Sequence, residues 1–194
     1  MRILIFGATG GTGRQLVQQA LERDHRVTAF VRNPVTLPLR HPLLEVAQGD
    51  IQRAETIRAA IPRHEAVLSA LGTRSLGPTT VLSEAAEEIV RSMQAHNVQR
   101  LPWESSLGVG ETKGQLGPLY NWLLIPLLLR HVFADKERQE HILRASSIDW
   151  TIVQPAALTN GPRTGVYVPG ERPALDGSCR GSRAPMSRTS CSRN

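Results

Sequence analysis

The 194-residue sequence contains only two cysteines, Cys179 and Cys191, and both lie close to its C-terminus. The body of the chain therefore carries neither a disulfide framework nor a zinc-ligand spacing, and no metal site is expected. Acidic residues are missing from 177–194, which holds Arg180, Arg183, Arg188 and Arg193. Four of the six net positive charges sit there, leaving +2 for the preceding 176 residues, so the overall charge does not describe a nucleic-acid-binding face. A bilayer-spanning run is absent as well. The most apolar stretch, 116–133, is interrupted by Pro126 and ended by Arg130 and His131, well short of the roughly 20 apolar residues a span needs. The first apolar stretch, 3–6, is too short for a signal-peptide core and runs straight into glycines, so a cytoplasmic location is expected.

What is present is the composition of a globular protein. Hydrophobic residues make up 40%, charged residues 21% and aromatics 4%. At this length the chain forms one domain, or one domain with a tail. Short runs rich in Ile, Val and Leu alternate with segments of helical period. Strands are predicted at 2–6, 26–31, 44–47, 66–71, 98–105 and 150–153, and helices at 12–23, 54–61, 79–97 and 135–145. This order predicts an α/β fold, a Rossmann-type doubly wound parallel sheet with helices on both faces, over residues 1–168. From 169 to 194 the apolar period stops and Gly, Ser, Pro and Arg take over, the composition of a disordered basic tail. The stretch 116–133 is expected to be a buried or lid helix; a hydrophobic wall for a planar substrate is the second reading and a membrane-surface helix the third.

Gly7-Ala8-Thr9-Gly10-Gly11-Thr12-Gly13 lies directly between the first strand and the first helix. Glycines there permit a tight turn, let backbone approach a pyrophosphate and let helix and strand pack closely, while the helix N-terminus supplies N–H donors. The second strand ends in Val31-Arg32-Asn33, without the acid that would bond a ribose 2′-hydroxyl. Arg32 suits a 2′-phosphate, which selects NADPH over NADH, unless it is a solvated strand-end arginine. After the third strand, Asp50 can accept from an adenine amino group with Ile51 covering the ring, or Asp50 can cap the next helix. Leu71-Gly72-Thr73-Arg74 follows the fourth strand, at the carboxyl edge where ligands of such sheets bind.

Together with Pro78-Thr79-Thr80 and Ser105-Ser106, these motifs resemble the atypical short-chain dehydrogenase/reductases of the NADPH-dependent flavin reductase type, also called biliverdin reductase B, over about residues 1–168. GATGGTG is shared with NmrA-like redox sensors; LGTRSLGPTTVLSE is narrower and points to the reductase branch. The resemblance implies hydride transfer from NADPH to a flavin or similar conjugated acceptor, with a non-catalytic NADPH sensor as the alternative. It implies that Gly7, Thr9, Gly10, Gly11, Thr12 and Gly13 hold the pyrophosphate, Arg32 the 2′-phosphate, and Asp50 with Ile51 the adenine. It further implies that Leu71, Gly72, Thr73 and Arg74 line the ribose and nicotinamide side, that Pro155, Ala156 and Ala157 flank the nicotinamide, and that Ser106 is the active-site serine. The partner implied is a small planar molecule, with no nucleic acid.

Four departures accompany the resemblance. The Tyr and Lys pair four residues apart is missing, since Tyr120 is followed at that distance by Leu124 and Tyr167 by Glu171. The relatives' active-site histidines fall at Lys136 and Ala157; Lys136 reads either as an anchor for an anionic group or, more simply, as a helix-surface lysine. Pro102 and Glu104 do not suit a central strand, because proline cannot donate to the ladder and a buried carboxylate needs a partner. The relatives' terminal strand and helix are also not legible in the tail. With permitted codons 179–194 can be back-translated so that another frame reads PRISRADVADFLLAQ, similar to that segment, so an out-of-frame translation and a natural basic tail both stand.

Overall fold

The structure is a computed structural model that describes residues 1–73, 75–116 and 120–155, with the strands at 169–170 and 189–193. The elements are β1 (Arg2–Phe6), α1 (Gly11–Leu21), β2 (Arg26–Val31), β3 (Leu44–Gln48), α2 (Ala54–Ala60), β4 (Ala66–Ser69), α3 (Val81–Ala95), β5 (Arg100–Glu104), α4 (Arg130–Arg144), β6 (Asp149–Pro155), β7 (Pro169–Gly170) and β8 (Thr189–Arg193). The sheet order is β3-β2-β1-β4-β5-β6-β8-β7. The first six strands are parallel and follow the predicted doubly wound order, while β8 runs antiparallel to β6. The reversal between β1 and β4 opens a crevice at the carboxyl ends of the strands.

Both faces of β1 are covered, which is why it reads as an unbroken apolar run rather than an alternating one. Leu4 and Phe6 enter a core with Ile57, Leu82, Ile89, Trp103, Leu143 and Trp150. Ile3 and Ile5 enter a second core with Val17, Leu21, Val27 and Ala29. Helix α1 thus covers one face while α2, α3 and α4 contribute to the other.

Pro102 is accommodated within β5. The strand pairs with β6 at five consecutive positions, Pro102 opposite Thr151, but with β4 only at Arg100 and Trp103. Ser105 N donates to Val153 O of β6 at 2.8 Å, so strand alternation turns the nitrogen of residue 102 toward β4. The missing N–H falls where the β4 ladder is interrupted. The ladder is interrupted on that side alone.

Residues Tyr120–Leu129 form a π-helical segment with Pro126 inside it, leading directly into α4. The expected burial does not occur: Trp122 is 84% exposed and Leu127 68%, with Leu123 and Leu128 about half exposed. None of the described residues of 120–129 lines the crevice. Among the described residues no helix is long and apolar enough to cross a membrane.

Candidate functional site

A cleft of about 1150 Å³ runs along the carboxyl edge of the sheet. One wall is the turn between β1 and α1. Gly7 has φ +76°, and the end of β1 places it so that a Cβ would lie 2.3 Å from Ala70 O. Gly13 is packed more tightly, since a Cβ there would sit 2.0 Å from Gly7 O. Gly10 donates to Gly7 O at 3.0 Å, closing the turn. Helix α1 begins at Gly11 with no side-chain cap and no acid in its first turn, so its leading N–H groups and positive end face the cleft. A Cβ at Gly11 would meet nothing within 4 Å. Open backbone donors at a helix N-terminus fit a pyrophosphate.

The strand ends supply the remaining lining. Gly7, Thr9, Gly10, Gly11 and Thr12 line the cleft; Gly13 is buried beneath the turn and does not. Its missing side chain lets α1 pack closely on the end of β1. Thr12 lines the cleft, and its hydroxyl donates to Glu104 Oε1 at 3.1 Å. Arg32 is exposed at the cleft rim, beside Phe30 and Val31. Asp50 and Ile51 line it from the end of β3. The Asp50 carboxylate accepts from Gln52 N at 3.1 Å, while α2 starts only at Ala54 with Arg53 as N-cap. Asp50 therefore caps a turn and not the helix. Leu71, Gly72 and Thr73 line the cleft after β4, and a Cβ added at Gly72 would meet nothing within 4 Å. Ser106 and Pro155 stand at the other end of the same cleft. Arg74, Ala156 and Ala157 lie outside the described residues.

Two groups carry more weight in the structure than their sequence context suggests. Lys136 is only 8% exposed and lines the cleft, which corrects the helix-surface reading. Its side chain makes no hydrogen bond or ion pair among the described residues. Burial lowers its pKa, opposed by the charges of Glu104, Glu140 and Asp135. Glu104 lines the cleft between Thr12 and Ser106. Burial raises its pKa, opposed by the Thr12 hydrogen bond and by Lys136. The available signal was the inward stripe of α4, where Asp135, Lys136, Gln139 and Glu140 are all buried. A polar stripe on a buried helix face demands partners. Asp135 accepts from Leu82 N, Ser83 N and Ser83 Oγ. Glu140 accepts from Ser105 Oγ at 2.5 Å and Gln154 Nε2 at 2.7 Å, tying down the loop that carries Ser106.

Residues 7–189 match the NAD(P)H-binding family model. The chain belongs to this NAD(P)H-binding family. Among curated relatives of this NAD(P)H-binding protein, the photosystem II assembly factor Ycf39 of Synechocystis sp. is 27% identical over 165 residues, 83% of this chain and 46% of its own length. The chain spans about half the length of the curated relatives it matches. Among solved structures, the ChuY anaerobilin reductase of Escherichia coli superposes with a TM-score of 0.74 at 20% identity, covering 98% of this chain and 96% of that one. A short-chain dehydrogenase/reductase of Veillonella parvula, solved in complex with NADP, gives a TM-score of 0.68 at 20% identity over 97% of this chain and 81% of that one. At such identities these two structures establish the shared Rossmann-type fold.

Proposed function

We propose that this protein is an NADPH-dependent oxidoreductase that transfers a hydride to a flavin or a similar planar conjugated acceptor. The observation that carries the reading is the continuity of the cleft, which joins the Gly7 to Thr12 turn and Arg32 to Ser106, Lys136 and Pro155 in one cavity. A cofactor laid along the strand ends would present its reactive end beside polar side chains with space for a second molecule. A protein that only sensed the cofactor would need no such space. Gly7, Gly10, Gly11 and the first-turn N–H groups of α1 would hold the pyrophosphate, with Asp50 and Ile51 at the adenine, Leu71 to Thr73 along the nicotinamide side and Ser106 and Pro155 beside the reacting ring. When bound, the dihydronicotinamide supplies hydride; the chain supplies orientation and electrostatics.

The choice of NADPH rests on Arg32, whose guanidinium has no acid beside it in Val31-Arg32-Asn33 and can grip a phosphate through two parallel hydrogen bonds. Arg32→Ala is expected to weaken NADPH binding about tenfold to a hundredfold, the loss of charge-assisted hydrogen bonds, and to leave NADH binding unchanged. Titrating both cofactors against both proteins checks this. Equal losses for the two cofactors would remove the 2′-phosphate assignment. The activity itself is tested by following loss of reduced-nicotinamide absorbance with FMN or riboflavin as acceptor. Tight NADPH binding without oxidation by either would overturn the reductase reading in favour of a sensor.

A further inference from the structure

Each hydride delivered to a conjugated acceptor is matched by one proton, and the chain lacks the Tyr and Lys pair that would provide it. Glu104 ends β5 in the cleft wall between Thr12 and Ser106. Thr12 Oγ1 holds its Oε1 at 3.1 Å, whereas Oε2 has no hydrogen-bond partner among the described residues. Lys136 enters the same cleft from α4, more than nine-tenths buried and without a hydrogen bond or ion pair among the described residues. The acids on that buried face of α4, Asp135 and Glu140, do not line the cleft. Asp135 is turned onto the N-terminus of α3 and Arg138, and Glu140 onto Ser105 and Gln154 with Arg144 at 3.6 Å. Of Asp135, Glu140 and Glu104, Glu104 alone lines the cleft with Lys136.

We propose that Glu104 carries on Oε2 the proton delivered to the reduced acceptor, and that Lys136 stabilises the carboxylate left behind. The proposal rests on the reductase reading above. In balance, the acceptor gains a hydride from the bound dihydronicotinamide, which is oxidised, and a proton from Glu104. The Glu104 O–H bond breaks, a bond from that hydrogen to an acceptor heteroatom forms, and water reprotonates the carboxylate through the open side of the cleft. Burial favours the neutral acid at Glu104, while Thr12 and Lys136 favour its anion. Such opposed influences keep a carboxyl able both to give up and to regain a proton.

The test uses the full chain with NADPH and FMN, comparing wild type, Glu104→Gln and Glu104→Asp in kcat across pH and in NADPH affinity by cofactor fluorescence. Wild-type kcat is expected to fall as pH rises through the Glu104 pKa, since the ionised form has no proton to give. Glu104→Gln is expected to lower kcat about a hundredfold and to abolish that limb of the profile. Its NADPH affinity should stay within about threefold of wild type, which also reports that the variant folds. Glu104→Asp should regain part of the rate together with the limb. Wild-type kcat and an intact limb in Glu104→Gln would overturn the assignment while leaving the reductase reading in place. A loss of NADPH affinity as large as the loss of kcat would overturn it too, placing the carboxyl with the cofactor. Wild type that binds NADPH but reduces no planar acceptor would bring down the reductase reading and this proposal with it.

Discussion

Gly13→Ala is expected to lower the melting temperature by about 6–12 °C and to cost at least tenfold in NADPH affinity. The added Cβ would lie 2.0 Å from Gly7 O, 2.7 Å from Gly7 C and 2.8 Å from Ala8 Cα, all of them backbone atoms that no rotamer change can move aside. Relief requires α1 to lift away from β1, and overpacking of this kind costs roughly 3 kcal/mol, each kcal/mol being worth about 2–4 °C in a domain of this size. The same displacement pulls the first-turn N–H groups away from where Gly7 and Gly10 aim them. Gly11→Ala is the matched control. Its Cβ meets nothing within 4 Å, and alanine is the better helix former, so its melting temperature should equal or slightly exceed wild type. Thermal unfolding by circular dichroism, paired with an NADPH titration, separates the two variants. Equal stability for Gly13→Ala and Gly11→Ala would refute the packing role given to Gly13.

Asp135→Ala is expected to be the most destabilising substitution on α4. The side chain is fully buried and accepts from Leu82 N at 3.0 Å, Ser83 N at 3.3 Å and Ser83 Oγ at 2.5 Å, with Arg138 at 3.2 Å. One carboxylate thereby serves the first turn of α3, whose N-cap Thr80 makes no side-chain capping bond. Removing it leaves two buried N–H groups without an acceptor and an arginine without its counter-charge, a loss of about 3–5 kcal/mol. The expected fall in melting temperature is about 6–20 °C. Because Asp135 precedes Lys136 on the helix, NADPH turnover should fall as well. A shift of only a degree or two in differential scanning fluorimetry would show that water replaces the carboxylate at α3.

Much of the architecture is legible locally. The strand–turn–helix at the N-terminus announces itself because apolar runs of four to six residues switch to helical period across a glycine turn, and each of those signals depends on neighbours in sequence. The strand-end residues Arg32, Asp50, Ile51 and Thr73 follow for the same reason, since the doubly wound order sends every strand's carboxyl end to one edge. The two residues judged unsuitable for β5 behave differently from each other. Pro102 is tolerated through the direction of its nitrogen, which depends on registers with β4 and β6. Glu104 finds its partner at Thr12, 92 residues away.

The sequence by itself determined the fold class and the sheet edge at which the cleft opens, because hydrophobic period, turn chemistry and strand order are short-range properties of the chain. Tertiary structure alone decided which way α4 turns its polar stripe, so that Lys136 enters the cleft rather than the solvent, and left Trp122 and Leu127 outside the core. It also decided how closely Gly13 packs under Gly7. The physical reason is common to all three: the direction of a side chain is fixed by the helix or strand packed against it, and that neighbour is distant in sequence.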